Sequence, residues 1–159
     1  MKIRVGFGYD VHQLSEKEEF WLGGIKLDHT KGCVAHSDGD VLIHAICDAL
    51  LGAANMRDIG YHFPDTSAEF ENIDSKILLK KSVDLIATKG YSIGNIDSTI
   101  ALQNPKIMSH IEKMQEVLAD VMNIDVEDVA IKATTTEKLG FVGKEEGIAA
   151  YATVLIQKD

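Results

Sequence analysis

The chain reads as an α/β (α+β) two-layer sandwich, one mixed sheet with helices on one face, and three observations predict it. Strand-like alternation opens and closes the sequence, at residues 2–13 and 148–157. Three substantial amphipathic segments of helical period lie between them, with further short strand patterns interleaved. Apolar residues make up 45% of the 159 and charged residues 26%, which suits one soluble domain, 1–159, with a proper core.

In the opening strand Ile3, Val5 and Phe7 alternate with Arg4, Gly6 and Gly8. Gly6-Phe7-Gly8 lacks the third glycine and the following helix of a dinucleotide fingerprint, so that reading is set aside. Phe20-Trp21-Leu22 and Ile25-Lys26-Leu27 flank Gly23-Gly24, the strongest hairpin signal in the chain. His36 to Ala54, HSDGDVLIHAICDALLGAA, reads as a helix opened by a capping box, Ser37 followed by Asp40. Leu42, Ile43, Ile46, Cys47, Leu50 and Leu51 form its apolar arc, with Ser37, Val41, His44 and Asp48 on the opposite side. Residues 55–66 carry turn chemistry and bury little, so a mobile loop is expected there.

Asp74 or Ser75 opens a second helix, carrying Ile77, Leu78, Val83, Leu85 and Ile86, which Gly90 ends. Tyr91 to Leu102 returns as a strand, stopped by Gln103-Asn104-Pro105-Lys106. Ser109 with Glu112 makes another capping box, and Ile111, Met114, Leu118, Val121 and Met122 stripe the helix that follows. Val129 to Ala133 is a strand, Gly140, Gly143 and Gly147 punctuate a loop, and Ile148 to Gln157 closes the sheet. Helices on one face leave the other uncovered, and an oligomer is the natural cover.

Sixteen basic against twenty-five acidic residues leave a net charge of −9. Nucleic acid and anionic membranes demand a basic face, so neither is expected as the main partner. No apolar run approaches the roughly 18 residues needed to span a bilayer, and the start lacks a signal-peptide core. Cys33 and Cys47 have no metal-type spacing and suit a reduced, cytoplasmic compartment. A mature plastid form, its transit peptide removed, is also compatible with these features.

Asp10 and His12 point to the same side of an extended chain, a geometry suited to gripping one cation. With His44 they offer three ligands from two elements. Catalytic zinc takes three protein ligands and leaves a fourth position for water or substrate; Fe²⁺, Mn²⁺ and Co²⁺ accept the same set. Spacing alone leaves an ordinary surface histidine and aspartate equally open. Asp48, one turn beyond His44, is positioned to hold the outer nitrogen of a ligand histidine. His29, His62 and His110 have no such company and read as surface or loop residues. Thr134-Thr135-Thr136-Glu137 reads either as an anion-binding turn or as an ordinary β-rich segment.

GFGYDVH, AHSDGDVLIHAICDALLGAA, DIGYHFPDT, LQNPK and KATTTEKLGFVGKEEG occur in this order. Together they closely resemble the 2-C-methyl-D-erythritol 2,4-cyclodiphosphate synthase family, over essentially the whole chain. The resemblance implies conversion of 4-diphosphocytidyl-2-C-methyl-D-erythritol 2-phosphate to the cyclic 2,4-diphosphate with release of CMP, in the non-mevalonate route to isoprenoid precursors. It implies one Zn²⁺ on Asp10, His12 and His44, and a second cation, Mg²⁺ or Mn²⁺, on Glu137. His36 and Thr135 match the transition-state stabilisers, and Ser37 the partner of His36 beside the phosphates. Asp58, Ile59 and Gly60 match the segment that binds methylerythritol, with Phe63, Pro64, Asp65, Thr66 and Ser67 as the loop closing over it. Leu102, Gln103, Asn104, Pro105, Lys106, Ile107 and Met108 match the cytidine-wrapping segment, with Thr134 and Thr136 flanking Thr135.

The family is a homotrimer with active sites between subunits, the cytidine pocket drawing on a different subunit from the metal ligands. Tyr9 and Lys144 stand where the family often has Phe and Arg. With Phe141 they resemble the lining of a central cavity that holds isoprenoid diphosphates in some members, although Lys lacks Arg's bidentate fork. On chemistry alone the rivals are a zinc-dependent phosphohydrolase and a non-catalytic metal- or nucleotide-binding module. A cyclic rather than an opened product separates the first, and the effect of Thr135→Ala on turnover the second.

Overall fold

The computed structural model describes residues 1–159. In chain order the elements are β1 (Lys2–Ser15), β2 (Phe20–Leu22), β3 (Ile25–Leu27), β4 (Gly32–Val34), α1 (Val41–Ala53) and α2 (Ile59–His62). There follow α3 (Ser75–Thr88), β5 (Ser92–Ala101), α4 (Ile111–Met122), β6 (Val129–Thr134), α5 (Gly140–Gly143) and β7 (Gly147–Lys158). Five strands form one sheet in the order β4-β1-β7-β5-β6, and β2 with β3 makes a separate hairpin. Only the β5–β6 pair is parallel, so the sheet is mixed as the sequence predicts. No helix is long and apolar enough to cross a membrane.

Helix α1 lies across the middle of the sheet, against β1, β7 and α3. Gly6 and Gly8 make that contact possible. A Cβ at Gly6 would sit 1.9 Å from the Ala49 carbonyl oxygen, and one at Gly8 1.9 Å from that of Ala45. The helix answers with Ala45, Ala49 and Ala53, all buried. The side read as opposite the apolar arc is therefore not a solvated face: Val41 is fully buried there and His44 turns inward. The 3.6-residue period finds the arc but cannot show that a sheet already covers the other side.

Local expectations at helix starts also change. Asp40, not Ser37, caps α1: its carboxylate accepts the amide of Ile43 at 3.1 Å. The same buried carboxylate accepts the Gly23 and Gly24 amides at 3.0 and 2.7 Å, fastening the hairpin turn to the helix. Burial pushes its pKa upward, against the pull of these amides. Ser109 caps nothing, because a 3₁₀ turn at Met108–His110 leads into α4 without a side-chain cap. The second helix starts as expected, Asp74 accepting the amide of Lys76, and Gly90 follows it at φ +77. Strand β4 and the short helices α2 and α5 are additions that three- and four-residue patterns cannot announce.

The sheet face away from the helices is apolar and open. Val5 and Phe7 are 66% and 65% exposed, with Ile3, Tyr9 and Val11 beside them on alternate positions of β1. Tyr9 packs against Tyr151 of β7 with its ring tilted by 41°, centroids 5.1 Å apart. Gly8→Ala should force α1 off β1 and cost about 3 kcal/mol or more, beyond ordinary overpacking because backbone is struck. Urea unfolding monitored by far-UV circular dichroism measures it.

Candidate metal centre and active site

Asp10 and His12 project from β1 toward the helix layer, and His44 reaches them from the first turns of α1. Asp10 Oδ2 lies 3.1 Å from His12 Nε2 and 3.0 Å from His44 Nδ1, and the two ring nitrogens are 3.1 Å apart. A tetrahedral zinc site with bonds of about 2.0–2.1 Å has ligand–ligand edges of about 3.3 Å. Three donor atoms converging this closely, two imidazole nitrogens and a carboxylate oxygen, form the group of side chains able to hold a metal ion. The donor set fits zinc, and equally other first-row divalent metals.

Burial alone would raise the Asp10 carboxyl, but hydrogen bonds from His12 and His44 overcome it and hold the group below the usual carboxylate range. Burial likewise opposes the charged form of His44, while Asp10 outweighs it and raises the imidazole pKa. The outer nitrogen of His44 has its own partners. Nε2 is 3.0 Å from Ser75 Oγ and 3.2 Å from Ser37 Oγ. Asp48, expected in that role, makes no hydrogen bond to His44. Its Oδ1 instead accepts the amide of Ile59 at 2.8 Å, tying the 58–60 segment to the helix, and burial raises its pKa. One turn along a helix sets direction, not which neighbour arrives to fill it.

A cavity of about 310 Å³ opens beside the three donors. Of the residues singled out in the sequence, His12, His36, Ser37, His44, Ile59, Gly60, Phe63 and Asp65 line it. Phe70, Ile73 and Leu78, which were not, complete its apolar wall. His36 Nε2 lies 3.4 Å from the Ser67 carbonyl oxygen, at the end of the 63–67 loop that borders the cavity. Asp58 accepts the Tyr61 amide at 2.8 Å as the cap of α2. Asp38 and Ser75 also stand close to the donors, Ser75 through His44 and Asp38 through Ser75, a use that their helix-start patterns hide in the sequence.

The remaining site residues gather elsewhere. Leu102 donates its amide to Thr134, Gln103 accepts the Lys138 amide at 3.4 Å, and Asn104 donates to Glu145 at 2.8 Å. Thr135 is half-buried and Glu137 exposed, their side chains 3.5 Å apart, and Thr136 donates to the Leu139 carbonyl. Glu137 therefore does not join Asp10, His12 and His44. Ile107 is buried, Met108 is exposed, and Phe141 packs over Gly147. His12 pairs with Ile148, Ala149 with Ala101, and Ala101 with Thr134. At about 4.8 Å per strand, the threonine turn stands three strands, about 14 Å, from the donors along the same sheet end. Within one chain the two groups of residues stay apart.

The YgbB family profile matches residues 3–157. The 2-C-methyl-D-erythritol 2,4-cyclodiphosphate synthase of Bacteroides thetaiotaomicron is 72% identical over 159 residues, covering 100% of both chains. Among solved structures, IspF of Plasmodium falciparum as a CDP complex superposes with a TM-score of 0.86 at 36% identity, over 99% of this chain and 97% of that one. The bifunctional IspDF of Campylobacter jejuni gives a TM-score of 0.95 at 41% identity; 99% of this chain spans 43% of that longer protein.

Protons compete with a cation for His44, and its raised pKa sets the sign. Zinc affinity should fall as pH drops, beginning above the ordinary imidazole value of about 6.5; competition with a chelating dye between about pH 8 and pH 5.5 reads it. Asp48→Ala should leave zinc affinity unchanged and raise KM for substrate by roughly tenfold, the loss of about one hydrogen bond to a charged group. A fall in metal content would return Asp48 to the metal centre.

Proposed function

Since the chain belongs to the YgbB family, we infer that it catalyses the cyclodiphosphate synthase reaction of its relatives in the non-mevalonate isoprenoid pathway. An oxygen of the substrate's 2-phosphate attacks the β-phosphorus of the cytidine diphosphate arm. A new P–O bond closes the ring, the bond from the β-phosphorus to the bridging oxygen breaks, and its electron pair leaves on CMP. The observation that carries this reading is the convergence of Asp10, His12 and His44 on one point at the mouth of a half-apolar cavity.

Asp10, His12 and His44 hold Zn²⁺, which when bound supplies Lewis-acid polarisation of a phosphate oxygen. Glu137, exposed and otherwise bound only loosely to Thr135, is a free carboxylate for Mg²⁺ or Mn²⁺ on the diphosphate. His36 and Ser37 border the phosphates, and the Thr135 hydroxyl donates to oxygens that gain charge in the transition state. Ile59, Phe63, Phe70 and Leu78 pack around the methylerythritol carbons and keep water from the β-phosphorus. With little covalent work required, positioning and charge neutralisation supply most of the acceleration.

The cytidine binds the second half-site, Leu102 to Met108 with Thr134 to Glu137, from a neighbouring subunit of a homotrimer. Support comes from the gap of about 14 Å within one chain and from the open apolar sheet face. Tyr9, Phe141 and Lys144 of three copies then ring a central cavity suited to an isoprenoid diphosphate, chain on the aromatics and charge on Lys144. The enzyme works in the cytoplasm, where Cys33 and Cys47, both free and buried, stay reduced.

Subunit mixing tests activity and assembly together. Purified protein should run at three times 17.4 kDa. His44→Ala and Thr135→Ala should each release almost no CMP from the authentic substrate. Trimers formed from an equal mixture should recover about one-quarter of wild-type rate, since a cyclic ring pairs one intact half of each kind in about one site of four. No recovery would mean sites within single subunits, and CMP release untouched by a chelator would remove the metal from the reaction.

A further inference from the structure

Hydrogen bookkeeping around His44 carries one step more, and it rests on the metal-centre reading above. We propose that Ser75 and Asp38 form a positioning pair that fixes the tautomer of His44, so that Nδ1 and not Nε2 presents a lone pair to the cation. Ser75 is fully buried at the first position of α3, and Asp38 lies in the turn before α1. The Ser75 hydroxyl donates its single hydrogen to Asp38 Oδ1 at 2.5 Å, and the Ser75 amide donates to Asp38 Oδ2 at 2.9 Å. Asp38 Oδ1 also accepts the amide of Asp40 at 3.2 Å, which locks the carboxylate in place.

A hydroxyl has one hydrogen to give. Having given it to a carboxylate, Ser75 Oγ can only accept from His44 Nε2, 3.0 Å away. Nε2 must then carry the ring hydrogen, and a neutral imidazole with hydrogen on Nε2 has its lone pair on Nδ1. Nδ1 is the atom that lies 3.0 Å from Asp10 and 3.1 Å from His12. Ser37 Oγ, 3.2 Å from the same Nε2, accepts the Gly39 amide and has its own hydrogen free, so it does not set the tautomer. The carboxylate acts through the hydroxyl, as outer partners of ligand histidines do when they orient the ring and raise its basicity. The arrangement also couples α3 to α1, because Ser75 caps nothing itself and touches His44 across the helix pair.

Long-range proton–nitrogen NMR of the zinc-loaded wild type should show the His44 hydrogen on Nε2 and the metal-shifted resonance on Nδ1. Ser75→Ala should remain folded and bind zinc roughly 10–100-fold more weakly in a dye competition, with kcat falling while KM changes little. Metal on Nε2 in the wild type, or equal zinc affinity in the two proteins, would overturn the pair. If Ser75→Ala does not fold, the wild-type tautomer decides alone. Failure of the wild type to bind zinc at all would overturn the metal-centre reading and this inference with it; equal binding by both overturns only the inference.

Discussion

The closeness of α1 to β1 is the constraint on which the rest depends. Glycines at 6 and 8 remove two side chains from the strand, and alanines at 45, 49 and 53 present a thin face from the helix. A helix one methyl further away would carry His44 with it. The same strand that gives up its side chains at Gly6 and Gly8 regains them at Asp10 and His12, on the same face and one repeat later. Packing and chemistry are thus consecutive segments of one alternation: small residues where the helix must touch, ligands where the cavity begins. Asp40 holds the other end of this contact, its buried carboxylate joining the hairpin turn to the helix start.

Much of this is legible in the sequence, for reasons of period. The opening and closing strands announce themselves because alternation over ten or more residues is hard to mimic. Gly23-Gly24, both at positive φ, supply the turn that β2 and β3 need. Asp10 and His12 share a face because strands have period two, and no further information is required. What fails is local chemistry with two solutions. Ser37 and Asp40 both satisfy rules for helix starts; the hydroxyl is turned to His44, and Asp40 takes the cap because it lies buried beside three amides. Ser109 fails differently, since a 3₁₀ turn satisfies those amides without a side chain. Asp48 is correctly directed on the helical wheel, yet the residue that meets it, Ile59, opens the one-turn helix α2, whose place no pattern encodes.

The site itself divides along the same line. Ligands on regular elements can be derived from spacing, whereas the threonine turn and the 102–108 segment gain meaning only from their place in the sheet. Pairing of β5 with both β6 and β7 lines Leu102 and Thr134 up at the end where His12 and Ile148 sit. Pairing also keeps them apart, because each intervening strand adds its own width. A substrate with a nucleotide at one end and a branched polyol phosphate at the other has use for both halves. The proposed ring of copies would cover the apolar face and bring such halves together, so the exposed valine and phenylalanine of β1 and the separation of the two residue groups would have one answer.

Charge resolves the remaining tension, that a chain of net charge −9 should handle a substrate carrying three phosphates. Screening over about 8 Å at physiological salt makes the total irrelevant at the site, and local arrangement decides. Near the donors three acids are already committed, Asp10 to two imidazoles, Asp38 to Ser75 and Asp48 to a backbone amide, while Asp65 on the cavity wall is not. Around the threonine turn Lys106, Lys138 and Lys144 form no ion pair with any carboxylate, as is also true of Lys2, Lys17, Lys31, Lys89 and Lys158, whereas Lys26, Lys76, Lys80, Lys81, Lys113 and Lys132 each form one. The lysines near the threonine turn and the Asp10–His12–His44 trio are thus the local features that the proposed reading assigns to the phosphates. Substitutions that remove a partner of one of these carboxylates therefore act on the site's geometry as well as on stability, since Asp38 holds Ser75 beside His44 and Asp48 holds the amide of Ile59.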